Sequence, residues 1–190
     1  TSVWLKENSY TDVSRDLYSA FLKRCIGYSF QDGLISMITQ ISWMFTRDYM
    51  RFRDSFVKEY ELLNALILGS GVFETISGEV VKSCAFLIRK RKSDLTSLFI
   101  DLVSYTNKAK MLSVAKRRYV YLKEFMKLKQ KPFAFKLNSN AIKRFSQSSS
   151  LDDFLSVKQG LSSNSNDRFI RYHWEISLSS FKANLQCYDN

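Results

Sequence analysis

The sequence is poor in the residues that catalytic and metal sites most often use. Its 190 residues contain one histidine, one proline and three cysteines. A hydrolase triad needs a histidine beside a nucleophile, but His173 lies in a charged aromatic segment and the chain has no GxSxG motif. Cys25, Cys84 and Cys187 are widely spaced and form no CxxC motif. The sequence therefore predicts neither a disulfide framework nor a zinc ribbon.

Long apolar runs are also missing from the sequence. Runs such as residues 85–88 fall far short of the roughly 20 residues that a bilayer span needs. The N-terminus lacks the basic-then-apolar pattern of a signal peptide, so we expect a cytoplasmic protein with no membrane partner. With 45% hydrophobic residues the chain can still bury a core. Because it begins at Thr1 rather than Met, we expect a piece of a longer protein.

Positive charge is abundant and unevenly placed. The net charge is +11, while residues 82–144 alone hold 17 basic and 3 acidic residues, a balance of +14. A solvated basic face without a ligand is one interpretation of such a region. Charge so strongly segregated favours contact with a polyanion, with nucleic acid ahead of a membrane surface.

Hydrophobic periodicity predicts helices and strands in alternation. A helix begins at Thr11 or Asp12, and its predicted buried face consists of Leu17, Ala20, Phe21 and Cys25. A second helix begins after Thr46, with a predicted inner face of Tyr49, Phe52, Phe56 and Tyr60. Residues 34–38, 62–68 and 80–88 are predicted to be buried strands. This order predicts an α/β layered sheet, with the third strand antiparallel at its edge.

The pattern changes after residue 92. Residues 95–103 are predicted to form a strand, and residues 108–129 a basic helix that ends before Pro132. A Ser-rich linker follows at residues 146–150. We therefore predict three regions: a catalytic-domain part at residues 1–92, a basic connecting region at 93–145, and the start of a recognition region at 146–190.

Two blocks of the sequence resemble a known family. The first block, beginning DLYSAFLKRCIGYSFQDGLISMITQISWMFTRDY and continuing through GSGVFETISGEVVKSCAFLIRK, is similar to the second half of the catalytic domain of class I adenine-N6 DNA methyltransferases. The second block, VKQGLSSNSNDRFIRYHWE, resembles the family's G-x-x-T-G-D-N-x-x-F segment, which leads into the target-recognition region. The phrases ISGEVV and NDRFIR are most similar to the branch found in phage-exclusion systems. The resemblance implies the C-terminal half of a Rossmann-like methyltransferase sheet, followed by a basic α+β extension.

The resemblance gives Phe73 a role in the glycine-flanked loop GSGVF. In the family, an aromatic residue at this place stacks on the adenine that is flipped out of the duplex. Flipping costs a few kcal/mol, and an aromatic face that receives the base offsets part of that cost. The alternative is that Phe73 covers the edge of the sheet.

The resemblance also implies cofactor and DNA contacts. Leu17 and Phe21, in the DLYSAF motif, correspond to apolar residues that wall the adenine pocket of S-adenosylmethionine, although i, i+4 spacing equally fits core residues. Four consecutive basic residues follow the predicted third strand and are predicted to contact DNA phosphates: Arg89, Lys90, Arg91 and Lys92. Asn166 and Arg168, in the second block, are further predicted DNA contacts. The block departs from the family at Ser163, Asn164 and Ser165, where Thr, Gly and Asp are usual.

Part of the family's machinery is missing from this sequence. The catalytic motif is an Asn- or Asp-Pro-Pro-aromatic tetrapeptide, and a chain with one proline cannot contain it. The glycine-rich loop for the methionine end of the cofactor is absent as well. The predicted function is thus a fragment of a DNA methyltransferase of phage defence or restriction-modification that is inactive in isolation. Its expected partners are double-stranded DNA and other phage-defence subunits. The alternatives are a non-catalytic nucleic-acid-binding module and a docking subunit.

Overall fold

The computed structural model describes residues 2–72, 81–150 and 153–156. The chain divides into two compact units, Thr1–Ser148 and Ser149–Asn190, and the helices and strands named below lie in the first. Several residues that the sequence singles out lie outside the described residues: Phe73, Asn166, Arg168, His173 and Cys187. Their predicted roles stay predictions. So does the division into three regions.

Helices and strands alternate through the first half of the chain, as predicted. The helices there are α1 (Ser2–Glu7), α2 (Leu17–Tyr28), α3 (Ser42–Phe45) and α4 (Met50–Glu59). The strands are β1 (Leu34–Gln40), β2 (Glu61–Gly69) and β3 (Ser83–Arg89). Short 3-10 turns at Thr11–Val13 and Arg47–Tyr49 precede α2 and α4. The α/β class predicted from the sequence is confirmed.

The five described strands form one mixed sheet in the order β1-β3-β2-β4-β5, where β4 is Ser97–Asp101 and β5 is Arg117–Val120. Strand β3 is antiparallel to both β1 and β2, and β2 is parallel to β4. The antiparallel direction of β3 was predicted correctly, but its predicted place at the sheet edge is wrong. Crossover through α4 leaves a gap one strand wide between β1 and β2. Because β3 is apolar and largely buried along its length, it fills that gap.

Strand β1 lies at one edge of the sheet and is covered on one face. Ile35 is buried, whereas Leu34 and Ile38 are 58% and 56% exposed. The prediction of a buried strand at residues 34–38 is therefore wrong for one of its two faces. Among the described strands β1 pairs with β3 alone, which leaves the other edge of β1 without a partner.

An aromatic core fills the space beneath the sheet. The fully buried Trp43 packs edge to face against Phe86 of β3 and Phe133, with ring centroids 5.2 and 5.8 Å apart. It also contacts Phe52 and Phe56 from α4. Both α4 residues were predicted to face inward, and both are buried. The core thus joins α4 and β3 to a segment that lies far beyond them in the sequence.

Residues 108–129 do not form the predicted basic helix. They contain a short helix α5 (Lys108–Met111), strand β5, and a second short helix α6 (Leu122–Phe125). The prediction failed because residues 117–120 pair antiparallel with β4. Their backbone hydrogen bonds are then part of the sheet, which is more stable than a highly charged helix without tertiary packing. A last helix, α7 (Ser139–Gln147), begins with the side chain of Asn138 accepting a hydrogen bond from the Ala141 N–H at 2.8 Å.

Candidate functional site

Helix α2 carries two apolar stripes, and the stripe that faces solvent contains the two predicted cofactor residues. Leu22 and Ile26 are buried in the core, while Leu17 and Phe21 are 55% and 57% exposed. The alternative that Leu17 and Phe21 are core residues is therefore contradicted. Of the predicted buried face, Ala20 is buried and Cys25 packs partly buried against the core, but the prediction is wrong for Leu17 and Phe21. Both stripes are apolar, and packing against β1 and the neighbouring turns selects the one that contains Leu22 and Ile26.

Leu17 and Phe21 line an open cavity of about 230 Å³. Its remaining wall consists of Trp4, Leu5, Tyr10, Ala20 and Arg24. The rings of Trp4 and Tyr10 are stacked, with centroids 6.3 Å apart and an interplanar angle of 25°. The ammonium of Lys23 lies over the Tyr10 ring, 5.6 Å from its centroid. An apolar, aromatic cavity of this kind is suited to a flat ring. A cofactor role for Leu17 and Phe21 stays a prediction.

A polar network that the sequence did not reveal fixes the start of α2. The hydroxyl of Tyr49 donates to Asp16 Oδ2 at 3.1 Å, and Ser19 Oγ donates to the carbonyl oxygens of Val13 and Asp16. Tyr18 and Ser42 are joined through their hydroxyls at 2.7 Å. These contacts connect the first turn of α2 to the chain that leaves β1. They hold α2 in a fixed orientation relative to this segment, with Leu17 and Phe21 on its exposed side.

Burial raises the pKa of both tyrosine hydroxyls in this network, Tyr18 and Tyr49. Both hydroxyls are therefore protonated at neutral pH, and Tyr49 acts as a hydrogen-bond donor rather than as a base. The network positions the backbone and does not supply acid-base chemistry. The pairing of an acid with a tyrosine 33 positions away leaves no local sequence signal, which is why sequence reasoning missed it.

The loop predicted to hold the stacking aromatic begins where β2 ends. Gly69 and Gly71 have positive φ angles of 74° and 70°, which glycine adopts without steric cost. A Cβ atom at Gly69 would also lie 3.2 Å from the side chain of Val103. Because β1 and β2 run in the same direction, their C-terminal ends lie at the same end of the sheet. The residues that follow β1, near Ser42, therefore lie at the same end as this loop. Phe73 follows two residues after Gly71.

The four consecutive basic residues lie at the opposite end of the strands from this loop. Strand β3 runs antiparallel to β1 and β2, so Arg89 ends it beside Glu61, the first residue of β2. The seven residues of β3 separate the two ends by about 20 Å. The predicted phosphate-contact cluster and the loop leading to Phe73 are therefore not brought together.

Internal contacts occupy most of that basic cluster. The buried Glu61 carboxylate pairs with Arg89 at 3.5 Å and with Arg91 at 3.7 Å, and it accepts a hydrogen bond from Ser93 at 3.2 Å. Lys90 Nζ donates to the carbonyl oxygen of Ser29 at 2.8 Å. The two arginines neutralise a buried charge, which costs far less free energy paired than unpaired. Phosphate contact by Arg89, Lys90, Arg91 and Lys92 stays a prediction.

The described residues hold no metal-binding group: among them, no three His, Cys, Asp or Glu residues are placed to bind an ion. None of their helices has both the length and the apolar character that a membrane crossing requires.

Comparison with known proteins then identifies the relatives of this chain. Residues 2–73 match the family described as Eco57I restriction-modification methylase. The adenine-specific methyltransferase PglX of Lacticaseibacillus casei (strain Zhang) is 27% identical over 89% of the chain. The adenine-specific methyltransferase BrxX of Escherichia coli O9:H4 (strain HS) is 25% identical over 93%. The chain is similar in sequence to both of these methyltransferases. The resemblance predicted from the sequence is thereby confirmed.

The chain spans about 15% of the length of each of these two methyltransferases. Two solved structures are also similar to parts of it. The M protein of the type I restriction enzyme EcoKI aligns with a TM-score of 0.41 and 16% identity, over 50% of this chain and 22% of that protein. The type IIG restriction endonuclease BpuSI aligns with a TM-score of 0.43 and 17% identity, over 55% of this chain and 14% of that protein.

Proposed function

We propose that this chain is part of a DNA methyltransferase that transfers a methyl group from S-adenosylmethionine to the N6 atom of adenine at specific sites. The observation that carries the proposal is the match to PglX and BrxX, which runs through about nine-tenths of the chain in each case. Such an enzyme would act in phage defence or restriction-modification. Because its substrate would be double-stranded DNA, we place it in the cytoplasm, with other defence subunits as further partners.

This part of the enzyme contributes binding surfaces rather than the methyl-transfer centre. The cavity beside Leu17 and Phe21 would receive the adenine ring of the cofactor, and Phe73 would stack on the flipped target base. With one proline, the sequence has no Asn-Pro-Pro-aromatic motif to hold the adenine amino group. We therefore expect the chain alone to methylate nothing.

The sheet supports the proposal that this chain belongs to a larger domain. The outer edge of β1 has no partner among the described strands, and Leu34 and Ile38 expose apolar side chains beside that edge. An apolar sheet face with an unpaired edge is usually covered or extended in a native protein. Further strands of the same enzyme would pair with β1 and cover this face.

The proposal is tested with the complete protein. Purified protein is incubated with double-stranded DNA and S-adenosylmethionine, and N6-methyladenine is measured by mass spectrometry after digestion to nucleosides. We expect methylation that depends on both substrates, and none from the 190-residue chain alone. A complete protein that binds DNA but forms no N6-methyladenine would contradict the proposal and favour a non-catalytic nucleic-acid-binding module.

A further inference from the structure

Strand β5 presents basic and aromatic side chains at the edge of the sheet opposite β1. Among the described strands it pairs with β4 alone, so within the described part of the chain no strand pairs with the backbone N–H and C=O groups of its outer edge. The residues before and within it are Lys116, Arg117, Arg118 and Tyr119, and Tyr121 follows the strand. We call these five residues the β5 surface.

Three side chains of the β5 surface point to the same side. Residues two apart in an extended chain share a face, and Tyr121 continues the extended backbone with φ −83° and ψ 114°. Arg117 is exposed, and Tyr119 and Tyr121 are 66% and 54% exposed. The segment therefore displays an arginine and two tyrosines in a row, spaced by about 7 Å.

The positive charge of the β5 surface is not neutralised within the described part of the chain. Lys116, Arg117 and Arg118 form no ion pair there, and Arg117 donates one hydrogen bond to the carbonyl oxygen of Ser113 at 3.3 Å. The neighbouring carboxylate of Asp101, on β4, is paired with Lys136 at 2.5 Å. Arg89 and Arg91 differ, because they pair with the buried Glu61. Three adjacent cations without counter-charges repel one another, and an anionic partner relieves that repulsion.

We propose that the β5 surface binds the sugar-phosphate backbone of double-stranded DNA. Arginine and lysine side chains, tyrosine hydroxyls and free backbone N–H groups are the donors that proteins direct at phosphate oxygens. The β5 surface offers all of them along one open edge. Contacts of this kind fix the position of the duplex without reading its sequence. The inference rests on the proposed function for the identity of the partner, and it adds the surface that holds that partner.

The test measures the salt dependence of DNA binding by the complete protein. Binding of a fluorescein-labelled duplex is followed by anisotropy at several salt concentrations. The Arg117→Gln/Arg118→Gln variant should weaken binding at low salt and reduce the slope of log K against log salt by about 0.9 for each lost phosphate contact. The matched control is Arg47→Gln/Arg51→Gln, which removes the same charge from two exposed positions and should keep the wild-type slope.

A second variant tests the hydroxyl donors without changing charge. Tyr119→Phe/Tyr121→Phe should weaken binding about 3- to 10-fold and leave the salt slope unchanged. A wild-type slope in Arg117→Gln/Arg118→Gln would overturn the proposal. So would a variant that binds DNA normally but no longer binds polyglutamate, because the β5 surface would then serve an acidic protein. Failure of the proposed function has a different signature: wild-type protein that binds DNA and transfers no methyl group.

Discussion

The guanidinium of Arg53 donates from Nε to the carbonyl oxygen of Lys131 at 2.7 Å, across 78 positions of sequence. Its Nη1 donates to the carbonyl oxygen of Trp43, and its Nη2 donates to those of Thr46 and Gln130, at 2.7 to 2.8 Å. The Arg53 side chain is fully buried, and burial lowers its pKa to about 10, so it stays charged at neutral pH. One arginine thus connects helix α4 and the segment before it to residues 130–131, near the end of the first unit.

Arg53→Met should therefore destabilise the protein strongly. Methionine fills a similar volume but donates no hydrogen bond, so the buried Trp43 carbonyl and the part-buried Gln130 and Lys131 carbonyls lose the donor that Arg53 supplies. A buried polar group left unsatisfied costs about 1–3 kcal/mol. We expect the free energy of unfolding in urea to fall by about 3 kcal/mol or more. Arg51→Met, at an exposed position of the same helix, is the control and should change it by less than about 0.5 kcal/mol. Equal midpoints for the two variants would show that the carbonyl groups find other donors.

The Cys84 thiol should be unreactive in the folded protein. Its side chain is fully buried between Thr39 and the core, and burial raises the pKa of the thiol to about 12 from an ordinary 9.0. The thiolate is the reacting form, so at pH 8 this shift lowers its population by about a thousandfold. A variant with Cys25→Ser and Cys187→Ser keeps Cys84 as its one thiol. Ellman's reagent should modify it rapidly in 6 M guanidinium and extremely slowly without denaturant.

The same shift predicts a direction for the pH dependence of stability. The unfolded thiol loses its proton near pH 9 and the folded thiol near pH 12, so the folded state binds more protons between these values. The contribution of Cys84 to the free energy of unfolding is complete below about pH 9 and is lost as the pH rises towards 12. Cys84→Ala should therefore flatten the alkaline part of the stability curve relative to wild type. Parallel curves for the two proteins above pH 9 would contradict this assignment.

Sequence reasoning located features that depend on short local patterns. The strands at residues 62–68 and 80–88 were predicted within a few residues, because two short apolar runs separated by a glycine-containing loop form a local signal. The position of β3 in the sheet was not predictable in that way. It depends on the connection through α4, which leaves space for one strand between β1 and β2. The inward direction of Arg53 was missed because a charged residue beside Phe52 is normally exposed. Four backbone carbonyl groups create its site, and two of them, those of Gln130 and Lys131, lie 77 and 78 positions away.

In the candidate site, too, the local sequence motif was informative, whereas features that depend on tertiary packing were not predictable. The DLYSAF motif led to Leu17 and Phe21, and both line one cavity. Their exposure was not predictable, because α2 has apolar residues on both sides and periodicity alone does not choose between them. The pairing of Glu61 with Arg89 and Arg91 was likewise invisible, because it is created by the register between β2 and β3.

Phe21→Ala should weaken cofactor binding without destabilising the fold. Its ring is 57% exposed in this structure, so its removal leaves the core intact. Loss of an aromatic wall beside the cofactor ring should raise the dissociation constant of S-adenosylmethionine about tenfold, as measured by calorimetry on the complete protein. Phe30→Ala, at an aromatic position that is 86% exposed and outside the cavity, is the control. Equal cofactor affinity in the two variants would remove Phe21 from the cofactor site.

Phe73→Ala should affect the target base and leave the cofactor site unchanged. If Phe73 receives the flipped adenine, its loss removes about 1–3 kcal/mol of stacking and lowers turnover by about tenfold or more. The dissociation constant of S-adenosylmethionine should stay at the wild-type value, which separates this variant from Phe21→Ala. A duplex in which the target adenine faces a mismatch is easier to open, so it should restore part of the lost rate. Phe73→Trp keeps an aromatic face and should retain most of the activity. A Phe73→Ala enzyme with wild-type turnover on a fully paired duplex would remove Phe73 from the target-base site.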